Sequence, residues 1–171
     1  MNTKIKDQKN ICRENGFTLI EILVVIGLIA LLAAIVIVAI NPAKQFAQGR
    51  NVCRQSNIET ILNAVGQRIA DNKGTFAGKF GSYECPAMPS ASTTVAIVYD
   101  NTNAVDSSKI DLSCLIPTYI SGALYDPQAD TSTKNSGYQL TVDNIGRVTI
   151  CAPKSADETA IPGVTQICAT R

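Results

Sequence analysis

The hydrophobic pattern changes character twice along the chain. From residue 17 to residue 40 nearly every position is apolar, and Glu21 is the only ionisable side chain among those 24 residues. Beyond Asn41-Pro42 the apolar positions thin out to a stripe. Ile58, Ile61, Leu62, Val65 and Ile69 recur at steps of three and four, the spacing of one helical face. Phe46 and Cys53 extend that stripe imperfectly, while Arg54, Gln55, Glu59, Asn63, Gln67 and Arg68 cover the remaining surface. From about residue 75 the period shortens to two. Residues 93–99 read as a strand, and residues 138–142 and 147–151 alternate around the turn-forming Asp143-Asn144-Ile145-Gly146, which predicts a hairpin. Residues 163–168 predict a last strand, and residues 109–120 a short helical turn ending near Pro117. The region around Ser90-Ala91-Ser92 and residues 126–136 read as loops.

These periods predict one long helix over about residues 17–72, kinked at Pro42. Proline lacks the amide hydrogen and crowds the preceding turn. Its first half is apolar all round and suits lipid; its second half is amphipathic and suits packing on a folded domain. Asn72-Lys73-Gly74 supplies the stop. The 97 residues that follow can bury only a modest core alone, and a sheet laid on the stripe of residues 58–69 supplies the missing apolar face. The fold class is therefore α+β: a long, kinked N-terminal helix, transmembrane in its first half, against a small antiparallel sheet. Four segments follow: 1–16, 17–40, 41–73 and 74–171.

Charge orients the apolar run. Residues 1–16 hold Lys4, Lys6, Lys9 and Arg13 against Asp7 and Glu14, an excess of +2 on one side. The positive-inside rule keeps that side cytoplasmic. A 24-residue helix is about 36 Å long, enough to cross a hydrocarbon core of about 30 Å with some tilt. A general secretory signal has a shorter apolar stretch and a small-residue cleavage site, and Val38-Ala39-Ile40 is a poor one. A plain anchor explains the length but neither Glu21 nor the glycine before the span. A lone carboxylate at mid-membrane costs about 2.5–3.5 kcal/mol on insertion scales. Glu21 therefore either pairs with a counter-charge or snorkels as a helix N-terminal anion.

Gly16-Phe17-Thr18-Leu19-Ile20-Glu21, set between a basic leader and an apolar run, resembles the N-terminal processing and methylation motif of type IV pilins and pseudopilins. The close resemblance covers about residues 10–45; the rest matches only in layout. It implies that residues 1–16 are a leader, cut between Gly16 and Phe17 by a prepilin peptidase that also N-methylates Phe17. It implies that Glu21 attracts the amino terminus of a neighbouring subunit and sets register during polymerisation. The implied partners are further copies of the chain or other pilins, the peptidase/methyltransferase, an assembly platform and ATPase, and membrane lipid before assembly. The implied location is the cytoplasmic membrane, with the leader in the cytoplasm, and then a surface filament. By analogy the helix loses regularity between Gly27 and Pro42; equally, Gly27 simply permits close packing in the membrane.

Of six cysteines, Cys12 leaves with the leader, and exported cysteines meet an oxidising compartment. Cys85, Cys114, Cys151 and Cys168 allow three pairings. Cys151–Cys168 with Cys85–Cys114 is the preferred set, because many pilins carry a bridge between the last two strands. Cys53 reads as buried on the helix, with an intermolecular bond or displacement of a partner in that pairing as the alternatives. The chain has no histidine, which removes the commonest general base and leaves no plausible metal centre or cofactor site. Asp157-Glu158 reads as solvated loop, so neither residue is assigned a catalytic role. Removing the leader's four cations and two anions from the chain's 15 and 14 leaves 11 against 12. No dense basic cluster favours nucleic acid. The function that follows is a structural filament subunit rather than an enzyme. The alternatives are a pseudopilin of a type II secretion system, or a tethered binding protein that never polymerises. Two bridges and no evident calcium loop favour the pilus subunit.

Overall fold

The computed structural model describes residues 16–80 and 83–171. The leader and Cys12 lie outside the described residues, Gly16 apart. The chain divides into two compact units, the first through Pro42 and the second Ala43–Arg171.

The first unit contains helix α1, Leu19–Ala39, in which no side chain is buried. Gly27 does not interrupt it. The single kinked helix of the sequence reading is instead two helices. Ile40 is extended (ψ 119°), although its N–H still bonds Val36 O at 3.0 Å. A proline disfavours helical geometry in the residue before it, which parts the chain at Ile40–Asn41. Pro42 then opens helix α2, Pro42–Asp71. At that first position its missing N–H costs no hydrogen bond.

In the second unit, Ile58, Ile61, Leu62 and Val65 of α2 are buried as the stripe requires, and Ile69 is partly buried. The N-terminal extension of the stripe is corrected. Phe46 is 70 % exposed and Cys53 is exposed and unpaired, whereas Ala47 and Arg54 are fully buried. Arg68, assigned to the surface, is also fully buried. The helical step explains both arginines: Arg54 lies four residues before Ile58 and Arg68 three after Val65, on the face the apolar residues mark. Arg68 donates to Phe76 O (Nε, 3.2 Å) and Gly78 O (Nη2, 2.7 Å), fastening the chain that leaves α2. The stop falls at the expected place: Lys73 and Gly74 turn left-handed (φ 55° and 91°), and Gly74 N–H bonds Ile69 O at 2.9 Å.

Beyond α2 come β1 (Gly78–Phe80) and β2 (Tyr83–Cys85), an antiparallel pair that the alternation did not announce. A five-stranded sheet follows from β3 (Thr94–Val98), β4 (Lys109–Asp111), β5 (Asn135–Val142), β6 (Val148–Ala152) and β7 (Ile167–Thr170), in the order β4-β3-β5-β6-β7. The β5–β6 hairpin turns at Asp143–Gly146, where Gly146 (φ 86°) bonds Asp143 O. The sheet is mixed rather than purely antiparallel, because β4 runs parallel to β3. The helical turn expected over residues 109–120 is that edge strand followed by a 3-10 turn at Ser113–Leu115. The last strand starts at Ile167 rather than residue 163, since Gly163 is in a turn with φ 76°. Val95, Ile97, Tyr138, Leu140, Ile150 and Ala152 form the inner face of the sheet and share one core with the α2 stripe. The result is an α+β, pilin-like layout.

Two disulfides close this unit. Cys85–Cys114 ties β2 to the 3-10 turn, and Cys151–Cys168 bridges directly paired residues of β6 and β7.

Candidate functional site

Two N-terminal places hold residues singled out by sequence, and the structure adds a third. Gly16 and Phe17 precede α1 as exposed, non-helical chain. Phe17 is 82 % exposed. The peptide between them lies outside α1.

Glu21 is built into the start of α1. Thr18 caps the helix: its hydroxyl oxygen accepts the Glu21 N–H at 3.2 Å, and Glu21 Oε2 accepts the Thr18 N–H (3.1 Å) and hydroxyl (2.9 Å). This reciprocal capping box satisfies helix-end donors that would otherwise be orphaned. It also gives Glu21 a fixed place one turn from Phe17. Behind it, α1 exposes Ile22, Leu23, Val24, Val25, Ile26 and apolar residues onward to Val38. Such a surface is stable only against lipid or other apolar helices. By length and composition α1 can cross a membrane.

The third place is a charge cluster on α2 that the sequence reading did not assemble. Arg54 Nε bonds Asp126 Oδ2 at 2.6 Å and Nη1 bonds Glu158 Oε1 at 2.7 Å. Asn51 Oδ1 and Gln128 Oε1 accept its other protons, each at 2.7 Å. Arg50 grips the same Glu158 through Nε (2.7 Å) and Nη2 (2.5 Å). Glu158 is thus no solvated loop residue. Its side chain is 4 % exposed and is held by both arginines. The Arg50 hydrogen bonds hold its carboxyl at about 2 against the opposing effect of burial, with Arg54 adding to the depression. Asp126, placed in a loop by sequence, is fully buried at the Arg54 fork. The cluster fastens two long loops to one helix. The one available sequence signal was the position of Arg54 on the apolar stripe; nothing marked its carboxylate partners. Among the described residues, no three His, Cys, Asp or Glu side chains converge to hold a metal.

The family model for the prokaryotic N-terminal methylation motif matches residues 11–39. No curated protein and no solved structure matches the chain. The matched segment is the prepilin-type signal of type IV pilins and pseudopilins, and it takes in all of α1, a helix long and apolar enough to cross a membrane. The motif implies processing by a prepilin peptidase, and the class is structural rather than enzymatic.

Proposed function

We propose that the chain is a structural subunit of a type IV pilus-like filament. In this reading residues 1–16 are a leader removed at Gly16–Phe17, and Phe17 becomes the N-methylated terminus. Residues 17–40 anchor the subunit in the cytoplasmic membrane and later pack in the filament, residues 41–73 form the amphipathic spine, and residues 74–171 form the head. The peptidase, assembly ATPase and platform are other chains. Non-closing head-to-tail contacts generate the helical polymer.

The single observation behind the reading is α1 itself, an apolar helix with no buried residue and one carboxylate in its first turn. A new ammonium at Phe17 of a neighbour is the counter-charge that carboxylate lacks in lipid. Removed from water, such a pair is stable only when both partners are present, which couples pairing to assembly.

The test is Glu21→Ala, with membrane fractions and sheared filaments compared. A subunit that stays in the membrane but leaves no filaments supports the reading, together with N-methyl-Phe17 by mass spectrometry of wild-type fibres. Wild-type filament yield from the variant, or fibres retaining Met1, overturns it. Filaments confined to the periplasm would assign the chain to a secretion system.

A further inference from the structure

Helix α2 carries an apolar knob on one flank and one wall of an apolar groove on the other. The knob is Phe46, 70 % exposed. At about 100° per residue, Asn51, Val52 and Gln55 lie about half a turn round the helix from Phe46. The buried Ala47, Arg54 and Ile58 lie between the two flanks. Asn51, Val52 and Gln55 form one side of a groove of about 490 Å³, and Ile161, Val164 and Ile167 form the other. The last three are half-buried and Val52 is 68 % exposed. No side chain lining the groove is charged.

Both walls are held in place. Asn51 Oδ1 accepts Arg54 Nη1 at 2.7 Å. Glu158, gripped by Arg50 and Arg54, accepts the Ile161 N–H on its main-chain oxygen at 2.9 Å. At the other end of the loop, Ile167 N–H donates to Ser155 Oγ at 2.8 Å, and the next residue is bridged to Cys151. The charge cluster that fastens this loop to α2 therefore also shapes the groove.

We propose that Phe46 of one copy of the chain seats in this groove of the next. The proposal rests on the filament reading and specifies one of its contacts. Every copy carries one knob and one groove, so the two are present in equal number. Lying on opposite flanks, they cannot both face the same partner, which rules out a closed two-fold pair. Each copy gives its knob to one neighbour and takes the knob of another, and contacts of that head-to-tail kind build open polymers. Charge sets the direction. With Phe46 level with Gln55, a parallel neighbour brings Arg50 level with Glu59, each four residues further along its helix. An antiparallel neighbour brings Arg50 level with uncharged Asn51 instead, and matched charge of this sort fixes register. Area sets the strength. A phenylalanine buries about 150–250 Å² in all, so 70 % exposure leaves about 105–175 Å² to cover. A stable interface buries about 800 Å² per partner. This contact is too small to hold a pair in solution and suits a polymer whose subunits are also joined elsewhere.

The test keeps the aromatic knob: Phe46→p-benzoylphenylalanine in the full chain, irradiated both in membranes and in sheared filaments. The expected product is a ladder of two, three and more chains, with mass spectrometry joining position 46 to residues 51–55 or 161–167 of another copy. Val164→Asp in the same chain puts a charge in the groove wall and is expected to lower ladder yield at least about tenfold, the scale of losing a central anchor. Thermal unfolding of that variant checks that the head still folds. Ile145→Asp, at a position equally open to solvent but outside the groove, leaves the ladder intact. Adducts to lipid alone, to α1 of another copy or to another protein overturn the proposal, as does a two-chain product joining position 46 to position 46. An unchanged ladder from a folded Val164→Asp chain overturns it too. Normal filaments alongside any of these results leave the filament reading standing. Absence of filaments from the wild type defeats that reading instead, and the membrane irradiation still decides the contact.

Discussion

Replacing Arg54 by methionine tests the charge cluster most directly. Methionine keeps an unbranched apolar stem along the helix and removes only the guanidinium. Arg54 and Asp126 have no side-chain exposure, and Glu158 has 4 %. Glu158 retains both bonds from Arg50, so its charge stays compensated. Asp126 does not: its carboxylate accepts from Arg54 and from the Gln128 N–H at 2.8 Å, and of these only the Gln128 bond remains once Arg54 is gone. Removing one partner of a buried pair costs about 3–5 kcal/mol, because the other charge is left without its counter-ion. With Glu158 still held, the lower end applies, about 3 kcal/mol. For a domain of this size each kcal/mol moves the midpoint by about 3–4 °C, so Tm falls by about 10 °C. The assay is thermal unfolding followed by circular dichroism, wild type against variant. Arg54→Met/Asp126→Leu removes the stranded anion with the cation and is expected to recover more than half of the loss, since an apolar pair of similar volume replaces a buried ion pair at little cost. A shift below about 2 °C for Arg54→Met would show that the cluster is not the fastening described. Failure of the double variant to recover would show that loss of packing, not a stranded charge, is the cause.

Acid should loosen the same unit. Glu158 is held at about 2 from an ordinary 4.5, and its depressed carboxyl contributes stability that is complete above pH 4.5 and lost as pH falls toward 2. Asp100 adds to that loss between its ordinary 3.8 and about 2: burial works against its charge, yet hydrogen bonds from Thr102 and Lys109 prevail. Urea midpoints measured from pH 6 down to pH 2.5 are expected to decline monotonically, and Glu158→Gln to flatten the upper part of the curve. Opening Cys151–Cys168, separated by 17 residues, as Cys151→Ala/Cys168→Ala removes about 3 kcal/mol in the chain-entropy description; opening Cys85–Cys114, separated by 29, removes slightly more, and denaturant midpoints read both. In a chain from which residues 1–16, and Cys12 with them, have been removed, Cys53, exposed and outside both disulfides, is expected to react with a maleimide in the native state in one-to-one ratio, while the four bridged cysteines react only after reduction.

What could be read in advance was local. The apolar run of α1, the disturbance of the helix at Pro42, the α2 stripe and the Asp143–Gly146 hairpin each depend on residues a few positions apart. There, periodicity and turn chemistry outweigh anything distant. The N-terminal motif is legible for the same reason: Gly16, Phe17 and Glu21 lie within six consecutive residues, and the hydrocarbon environment their neighbours require makes the carboxylate conspicuous.

Tertiary structure decided the rest. Whether an arginine on an apolar stripe faces water or the core depends on whether anions arrive to meet it, and those of Arg54 come from 72 and 104 residues away. No pattern in either loop announces them, which is why Arg54 and Glu158 read as surface residues. Phe46 and Cys53 read as interior because their apolar character was visible, while the absence of anything to cover them was not. The parallel pairing of β4 and the meeting of Tyr83, Tyr99 and Tyr125 around one cavity were equally out of reach. Strands of three residues carry too little periodicity to declare themselves, and cavity walls belong to no single element. Local sequence specifies which segments become helix or strand; burial of charge is specified only where distant segments close on each other, because desolvation is offset only by a partner that is there.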